Sequence, residues 1–190
     1  MKIDLSISIQ RELFNDLLEK SFKAKRDIIG HIGTHFDVMN KKFSLENTIR
    51  NGKLFDVRNI RDREIDTTDI DLNRIEENDF IIFYTGYLEE EPYGTEKYFT
   101  DYPVLSKDLI DNLISKKVSL IGIDTASIVK PNIHIETDQY CADNGIFIIE
   151  NLDNLKLLLN EAKDESFKVY TFPINIENIS GLPCRVIAEI

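Results

Sequence analysis

The sequence predicts a single α/β domain, residues 1–190, built on a mixed β-sheet. Three observations carry that prediction. Strand-like and helix-like segments alternate along the 190 residues. No internal repeat, low-complexity stretch or long linker divides the chain. A composition of 42% hydrophobic and 30% charged residues is that of a globular domain with a sizeable core.

Each element follows from its own pattern. "KIDLSISI", at 2–9, alternates apolar and polar residues and reads as a strand, after which Leu13, Phe14, Leu17 and Leu18 recur at helical spacing. "KLFDVRNI" and "DFIIFYTGY" are rich in β-branched and aromatic residues, giving two more strands, with Ile81 to Tyr84 buried on both faces. Ser106 suits the N-cap of a helix over "KDLIDNLISKK", where Leu109, Ile110, Leu113 and Ile114 form one apolar stripe and the lysines sit at the C-terminal end of the helix dipole. "VSLIGID" follows as a strand. The remainder reads as strand "GIFIIE", helix "NLDNLKLLLNEAKD" at 151–164, and closing strands "SFKVYTFPINI" and "CRVIAEI".

Composition narrows the function classes. No run of about 18 apolar residues is present to span a bilayer. The opening "MKIDLSISIQRELF" has an acidic residue at position 4 and no small-residue cleavage site, so no signal peptide and a cytoplasmic location are expected. Two cysteines, Cys141 and Cys184, are too few for a disulfide framework or a thiolate site and read as reduced packing residues. A net charge of −11 repels phosphate backbones, and the basic cluster "KAKRD" at 23–27 is too short to outweigh it, so neither nucleic acid nor a membrane is an expected partner. The eight glycines are scattered, leaving no phosphate-binding loop.

The stretch "HIGTHFDVMN" carries the chemistry. Its residues alternate as in a strand, but a straight strand would hold His31 and His35 roughly 13 Å apart at Cα, too far to share an ion. Gly33 lacks a Cβ and permits a bend that brings the two imidazoles together, with Asp37 joining from the segment that follows. Imidazole nitrogens plus a carboxylate suit zinc or manganese. Read alone, H-x-x-x-H-x-D fits two unrelated surface histidines as readily.

The rest of the chain tips that balance. "HIGTHFD" resembles the H-x-G-T-H-x-D core of the cyclase family of metal-dependent hydrolases, which includes bacterial kynurenine formamidase and isatin hydrolase. The similarity continues in order through "KIDLSISI", "NDFIIFYTGY", "YPVLSKDLIDNLISKKVSLIGIDTASI", "NGIFIIENLDNL" and "SGLPCRVIAEI". The resemblance implies a swivelling β/β/α fold with a barrel-like mixed β-sheet flanked by helices, assembled as a homodimer or homotetramer. It also implies one or two divalent ions, Zn2+ or Mn2+, and hydrolysis of a C–N bond in a small amide, formamide or cyclic amide by metal-activated water. By position, His31, His35, Asp37 and Glu150 match metal ligands, and Glu150 is also a candidate proton carrier.

Two departures stand out. Met39 and Lys41 replace the proline and final histidine with which the family motif continues, and that histidine is the family's acid/base. Lys41 is therefore a candidate catalytic residue, as a proton shuttle or a cation for the substrate, unless Lys41 and Lys42 simply mark an exposed loop. Twelve residues before Glu150, where the family commonly has a histidine, stands Asp138; either Asp138 or His134 completes the site, or "HIETDQY" is an acidic solvent loop. These losses motivate a second reading, a degenerate member acting as a binding or structural protein. Thr125 and Ser127 are read as a structural turn near the site, and Tyr98, Phe99 and Tyr102 as pocket, interface or packing residues. The stretch before His31 is shorter than the resemblance implies and the chain has no Trp, so N-formylkynurenine is not the expected substrate.

Overall fold

The computed structural model describes residues 1–24, 29–163 and 165–190; most of the basic cluster 23–27 and the last residue of the predicted helix 151–164 lie outside them. The strands are β1 Lys2–Asp4, β2 His35–Asp37, β3 Ile49–Asp56, β4 Phe80–Tyr84, β5 Leu120–Ile123, β6 Phe147–Glu150, β7 Phe167–Pro173 and β8 Gly181–Glu189. The helices are α1 Arg11–Ala24, α2 Tyr87–Glu90, α3 Lys107–Ser115, α4 His134–Asp143 and α5 Leu155–Ala162. Seven strands close into a barrel in the order β8, β2, β6, β5, β4, β3, β7 and back to β8, with β1 attached to β8 as well. The β3–β4–β5–β6 run is parallel and the other pairings are antiparallel, so the sheet is mixed, as expected.

Strand alternation divides the core in two. Phe80, Ile82 and Tyr84 of β4 join Phe36, Leu54, Ile149 and Val186 in the inner cluster, to which α5 adds Leu155 and Leu158. Ile81 and Phe83 face the other way, against Leu109, Ile110 and Leu113 of α3. All five residues of β4 are consequently buried, the behaviour of a parallel strand covered on both faces. Ser106 caps α3 as predicted, its hydroxyl accepting from the Leu109 N–H at 3.1 Å. Cys141 and Cys184 are free thiols, and burial pushes Cys141 up to about 12, which leaves it an inert packing group.

Elements that differ from expectation include β1, β8, α5 and α4. β1 stops at Asp4 because β2 and β1 share one edge of β8: β2 takes Gly181–Pro183, leaving Ile187–Glu189 for β1. β8 accordingly starts three residues before "CRVIAEI". Helix α5 begins only at Leu155, since Asn151 and Asn154 hold left-handed backbones at φ 58. "HIETDQY" is not a solvent loop but most of α4. Its Thr and acidic side chains gave no apolar stripe, yet Cys141 and Ala142 pack it onto the core. Among the described residues no helix is long and apolar enough to cross a membrane.

Candidate metal centre

The expected bend is present. A 3-10 turn, Ile29–His31, leads into Gly33 at φ 75, and β2 begins at His35. An L residue at Gly33 would be strained by that φ, and its Cβ would lie 2.8 Å from Ile9 Cδ1. His31 Nδ1 and His35 Nε2 come within 3.1 Å. β2 pairs antiparallel with β6 so that His35 lies directly opposite Glu150, placing both side chains on one face, while Phe36 turns into the barrel core. Asp37, two residues on, shares the face of His35. From the other side, His134 and Asp138 stand one turn apart on α4 and approach Glu150.

Six side chains thus converge. His35 Nε2 lies 3.6 Å from Asp37 Oδ1 and 3.4 Å from Glu150 Oε2, and His31 Nδ1 lies 2.9 Å from Asp37 Oδ1. His134 Nε2 lies 2.8 Å from Asp138 Oδ2 and 3.0 Å from Glu150 Oε1. Two donor sets, His31–His35–Asp37 and Asp37–His134–Glu150, each fit within 4.8 Å and share Asp37. His35, Asp37, Asp138 and Glu150 are buried, whereas the His31 and His134 side chains keep 26% and 28% of their surface and mark the open side.

The donors are also unsatisfied. Both Asp37 oxygens, Asp138 Oδ1, Glu150 Oε1 and His134 Nε2 are buried with no partner in hydrogen-bond alignment, five of the six such atoms among the described residues. Buried polar groups are normally paired, and charged ones cost most when they are not. Atoms that approach to about 3 Å without bonding one another are arranged as donors to a common cation would be. Neutral imidazoles and carboxylates are the donor chemistry of a divalent ion, so the residues present fit one.

The electrostatics agree. Burial alone would raise Asp37, but His35 and His31 outweigh it and hold the carboxyl well below its usual range. Burial and the neighbouring Asp37 charge push Glu150 well up, against the pull of His134. Burial lifts Asp138 to about 6. Burial lowers His134, but Asp138 and Glu150 overturn that and raise it to about 11. Crowded negative charge of this kind is what a cation relieves.

A neighbouring carbonyl sets the tautomer of His35. His35 Nδ1 donates to the Gly33 carbonyl at 2.8 Å, leaving the Nε2 lone pair for the cluster. His31 Nε2 pairs with Ser180 Oγ at 2.9 Å, leaving Nδ1 on the inner side. Ser180 and Tyr93, whose hydroxyl accepts from the Gly33 N–H at 2.8 Å, were not singled out from the sequence; a serine in "NISG" and a tyrosine sixty positions downstream carry no local signal.

Lys41 is not brought to this cluster. Its ammonium pairs with Asp143 Oδ1 at 2.6 Å at the end of α4, with both side chains well exposed. Thr125 and Ser127 form a turn: Thr125 Oγ1 donates to the Ser127 carbonyl at 2.7 Å, and Ser127 Oγ accepts from the Val129 N–H at 3.3 Å. Tyr98 and Tyr102 are buried with Tyr87 and Val104 in a small aromatic cluster, with Phe99 packed against it.

The barrel and its donor cluster together define a fold that gathers a candidate divalent-cation site. The chain belongs to the Cyclase family, described as "Putative cyclase", whose model matches residues 3–129. Solved structures with the same fold include a "predicted metal-dependent hydrolase" from Bacillus stearothermophilus, at 20% identity and a TM-score of 0.74 over 99% of this chain and 97% of that one. A "potential metal-dependent hydrolase with cyclase activity" matches at 21% identity and 0.70 over 99% and 96%. Isatin hydrolase A from Labrenzia aggregata matches at 18% identity and 0.70 over 84% and 73%. No curated protein matches the chain.

Proposed function

We propose that the protein is a metal-dependent hydrolase of a C–N bond in a small amide, formamide or cyclic amide. The observation that carries this reading is the convergence of His31, His35, Asp37, His134, Asp138 and Glu150 with five buried donor atoms lacking an aligned hydrogen bond. His31, His35 and Asp37 would hold one Zn2+ or Mn2+. Glu150 with His134 or Asp138 would complete that site or, through the shared Asp37, a second one. The cation supplies polarisation of a substrate carbonyl and acidification of water near neutral pH.

The chain's own residues supply the rest. Glu150, whose carboxyl is pushed well up by burial and by the Asp37 charge, can hold a proton and pass it toward a leaving nitrogen. Burial of Asp37, Asp138 and Glu150 keeps bulk solvent from the donor atoms, and a substrate would approach from the side where His31 and His134 stay partly exposed. Lys41, held at Asp143, would have to leave that partner to serve as the proton carrier. This position favours, as a second reading, a family member that keeps cation and fold while binding rather than hydrolysing. The location would be cytoplasmic, and the assembly a homodimer or homotetramer as the family resemblance implies.

Elemental analysis of untagged protein purified without chelator, beside His35→Ala, tests the site. One or more equivalents of zinc or manganese, lost in the variant, support the reading and direct a screen of aryl formamides and cyclic amides. No metal in either protein sinks it. Metal without turnover, restored by Lys41→His, would select the second reading.

A further inference from the structure

A chain of hydrogen bonds behind the donor cluster is left unused by the mechanism above. Asn151 follows Glu150 directly, is 2% exposed and holds a left-handed backbone at φ 58, a conformation asparagine tolerates better than most residues. Its side-chain Nδ2 donates to the Gly33 carbonyl at 2.9 Å, and its Oδ1 accepts from the fully buried Tyr98 hydroxyl at 2.8 Å. Its own carbonyl accepts from Thr34 Oγ1 at 2.7 Å. Asn151 therefore grips two successive residues of the turn that delivers His35.

The orientation of the amide is not arbitrary. The Gly33 carbonyl can only accept, so Nδ2 must face it. That leaves Oδ1 toward Tyr98, whose single hydroxyl proton it accepts at 2.8 Å, the competing Asp124 carbonyl lying farther off at 3.3 Å. The Gly33 carbonyl has two lone pairs, and both are taken: one by Asn151 Nδ2, the other by His35 Nδ1–H. Asn151 Nδ2 and His35 Nδ1 sit 3.5 Å apart around the same oxygen, too poor a contact to replace either bond. Fixing that oxygen fixes where the imidazole proton resides and which way the ring plane lies.

We infer that Asn151, backed by Tyr98, is a positioning residue for His35: it locks the Gly33 carbonyl and through it the tautomer and ring orientation that His35 offers to a cation. The inference rests on the metal reading of the site. Groups that orient a ligand histidine typically change cation affinity 10–100-fold when removed. The competing role is a purely structural tie between the end of β6 and the 33–34 turn.

Asn151→Gly separates the two roles, because glycine accepts the left-handed backbone at no steric cost while the amide is lost. Tyr98→Phe removes the hydroxyl and keeps the ring. Each is compared with the parent in cobalt(II) affinity by chelator competition, cobalt absorption spectrum, unfolding midpoint in chelator, and 15N chemical shifts of His35 without metal. We expect cobalt affinity to fall about 10–100-fold in Asn151→Gly and less in Tyr98→Phe. The cobalt spectrum should change, and His35 should shift from the Nδ1–H form to a mixture of tautomers. The chelated proteins should unfold close to the parent.

Parental affinity and spectrum in Asn151→Gly overturn the inference. So does an affinity loss in both variants that merely follows a fall in the chelated midpoint with the His35 tautomer unchanged, which is how a structural tie behaves. If the parent itself takes up no cobalt, the metal reading fails on its own account. The tautomer measurement on metal-free protein then decides the inference separately.

Discussion

The two walls of the donor cluster are built differently. On one, His31, His35 and Asp37 come from a single run of seven residues, folded by one glycine bend and held by Ser180 and the Gly33 carbonyl. On the other, His134, Asp138 and Glu150 come from a helix and a strand brought together by the fold. The first wall is preorganised by its own sequence. The second is held by tertiary packing of α4 against β6 and carries the greater electrostatic tension, since the carboxyls of both Glu150 and Asp138 are pushed up. A cation should therefore depend on the first wall for its geometry and relieve the second of its charge.

The largest effect that comparison predicts is at His35. Replacement by alanine removes a donor that lies within 3.6 Å of three others, and metal content should drop to near zero. The stabilisation contributed by bound ion goes with it, about 2.7 kcal/mol when free ion is 100-fold above its dissociation constant. Differential scanning of metal-loaded and chelated protein measures this directly. His35→Ala should abolish the gap between the two midpoints, and a gap that survives would place the cation elsewhere.

The next prediction contrasts two carboxylates a few ångströms apart. In metal-free protein at pH 7, Asp37→Asn should destabilise and Glu150→Gln should stabilise, each by about 1–3 kcal/mol. The signs come from linkage. Asp37 is depressed in the folded state, so its charge contributes stability above the unfolded value of 3.8, lost as pH falls toward the lower folded value. Glu150 is raised, so stability is present below its unfolded value of 4.5 and lost as pH rises toward the higher folded one; glutamine removes that penalty. With metal present both substitutions should weaken binding. Chelated unfolding curves that move in the same direction would refute the division of roles.

How legible these walls were differs for a physical reason. The bend at Gly33 and the meeting of His31 with His35 follow from local rules, strand rise and glycine freedom, which act within five residues. The buried strand β4 and the Ser106 cap were equally local. The second wall depends on a helix with no apolar stripe, "HIETDQYCAD", whose register against Glu150 is fixed by contacts that sequence spacing does not encode. The choice between His134 and Asp138 therefore stayed open in the sequence. The structure brings both: they are i and i+4 on one helical face. Asn151 and Ser180 were silent for the same reason, since what matters in them is a single tertiary hydrogen bond.

A smaller effect is expected with pH. Cation binding must displace protons from carboxyls that hold them in the metal-free protein, and Asp138 sits at about 6. Affinity should fall as pH drops through about 6, and net proton release, which Glu150 and His134 extend above neutrality because both are raised, should be measurable by calorimetry in buffers of different ionisation enthalpy. Asp138→Asn should flatten that dependence. An unchanged profile would remove Asp138 from the metal-linked groups.

The smallest effect should be at Lys41. Its ammonium is paired with Asp143 in an exposed contact that salt screens, and α4 keeps its packing without it. Lys41→Met should leave metal content and chelated unfolding unchanged, because neither wall uses the side chain. Turnover is the sharper measurement. If Lys41→Met lowers it while cation binding is intact, the lysine must swing from Asp143 to the cluster during the reaction, and Asp143→Asn should then raise turnover by freeing it. If both variants turn over like the parent, the proton is carried within the second wall, where Glu150 is the group placed and tuned to do so.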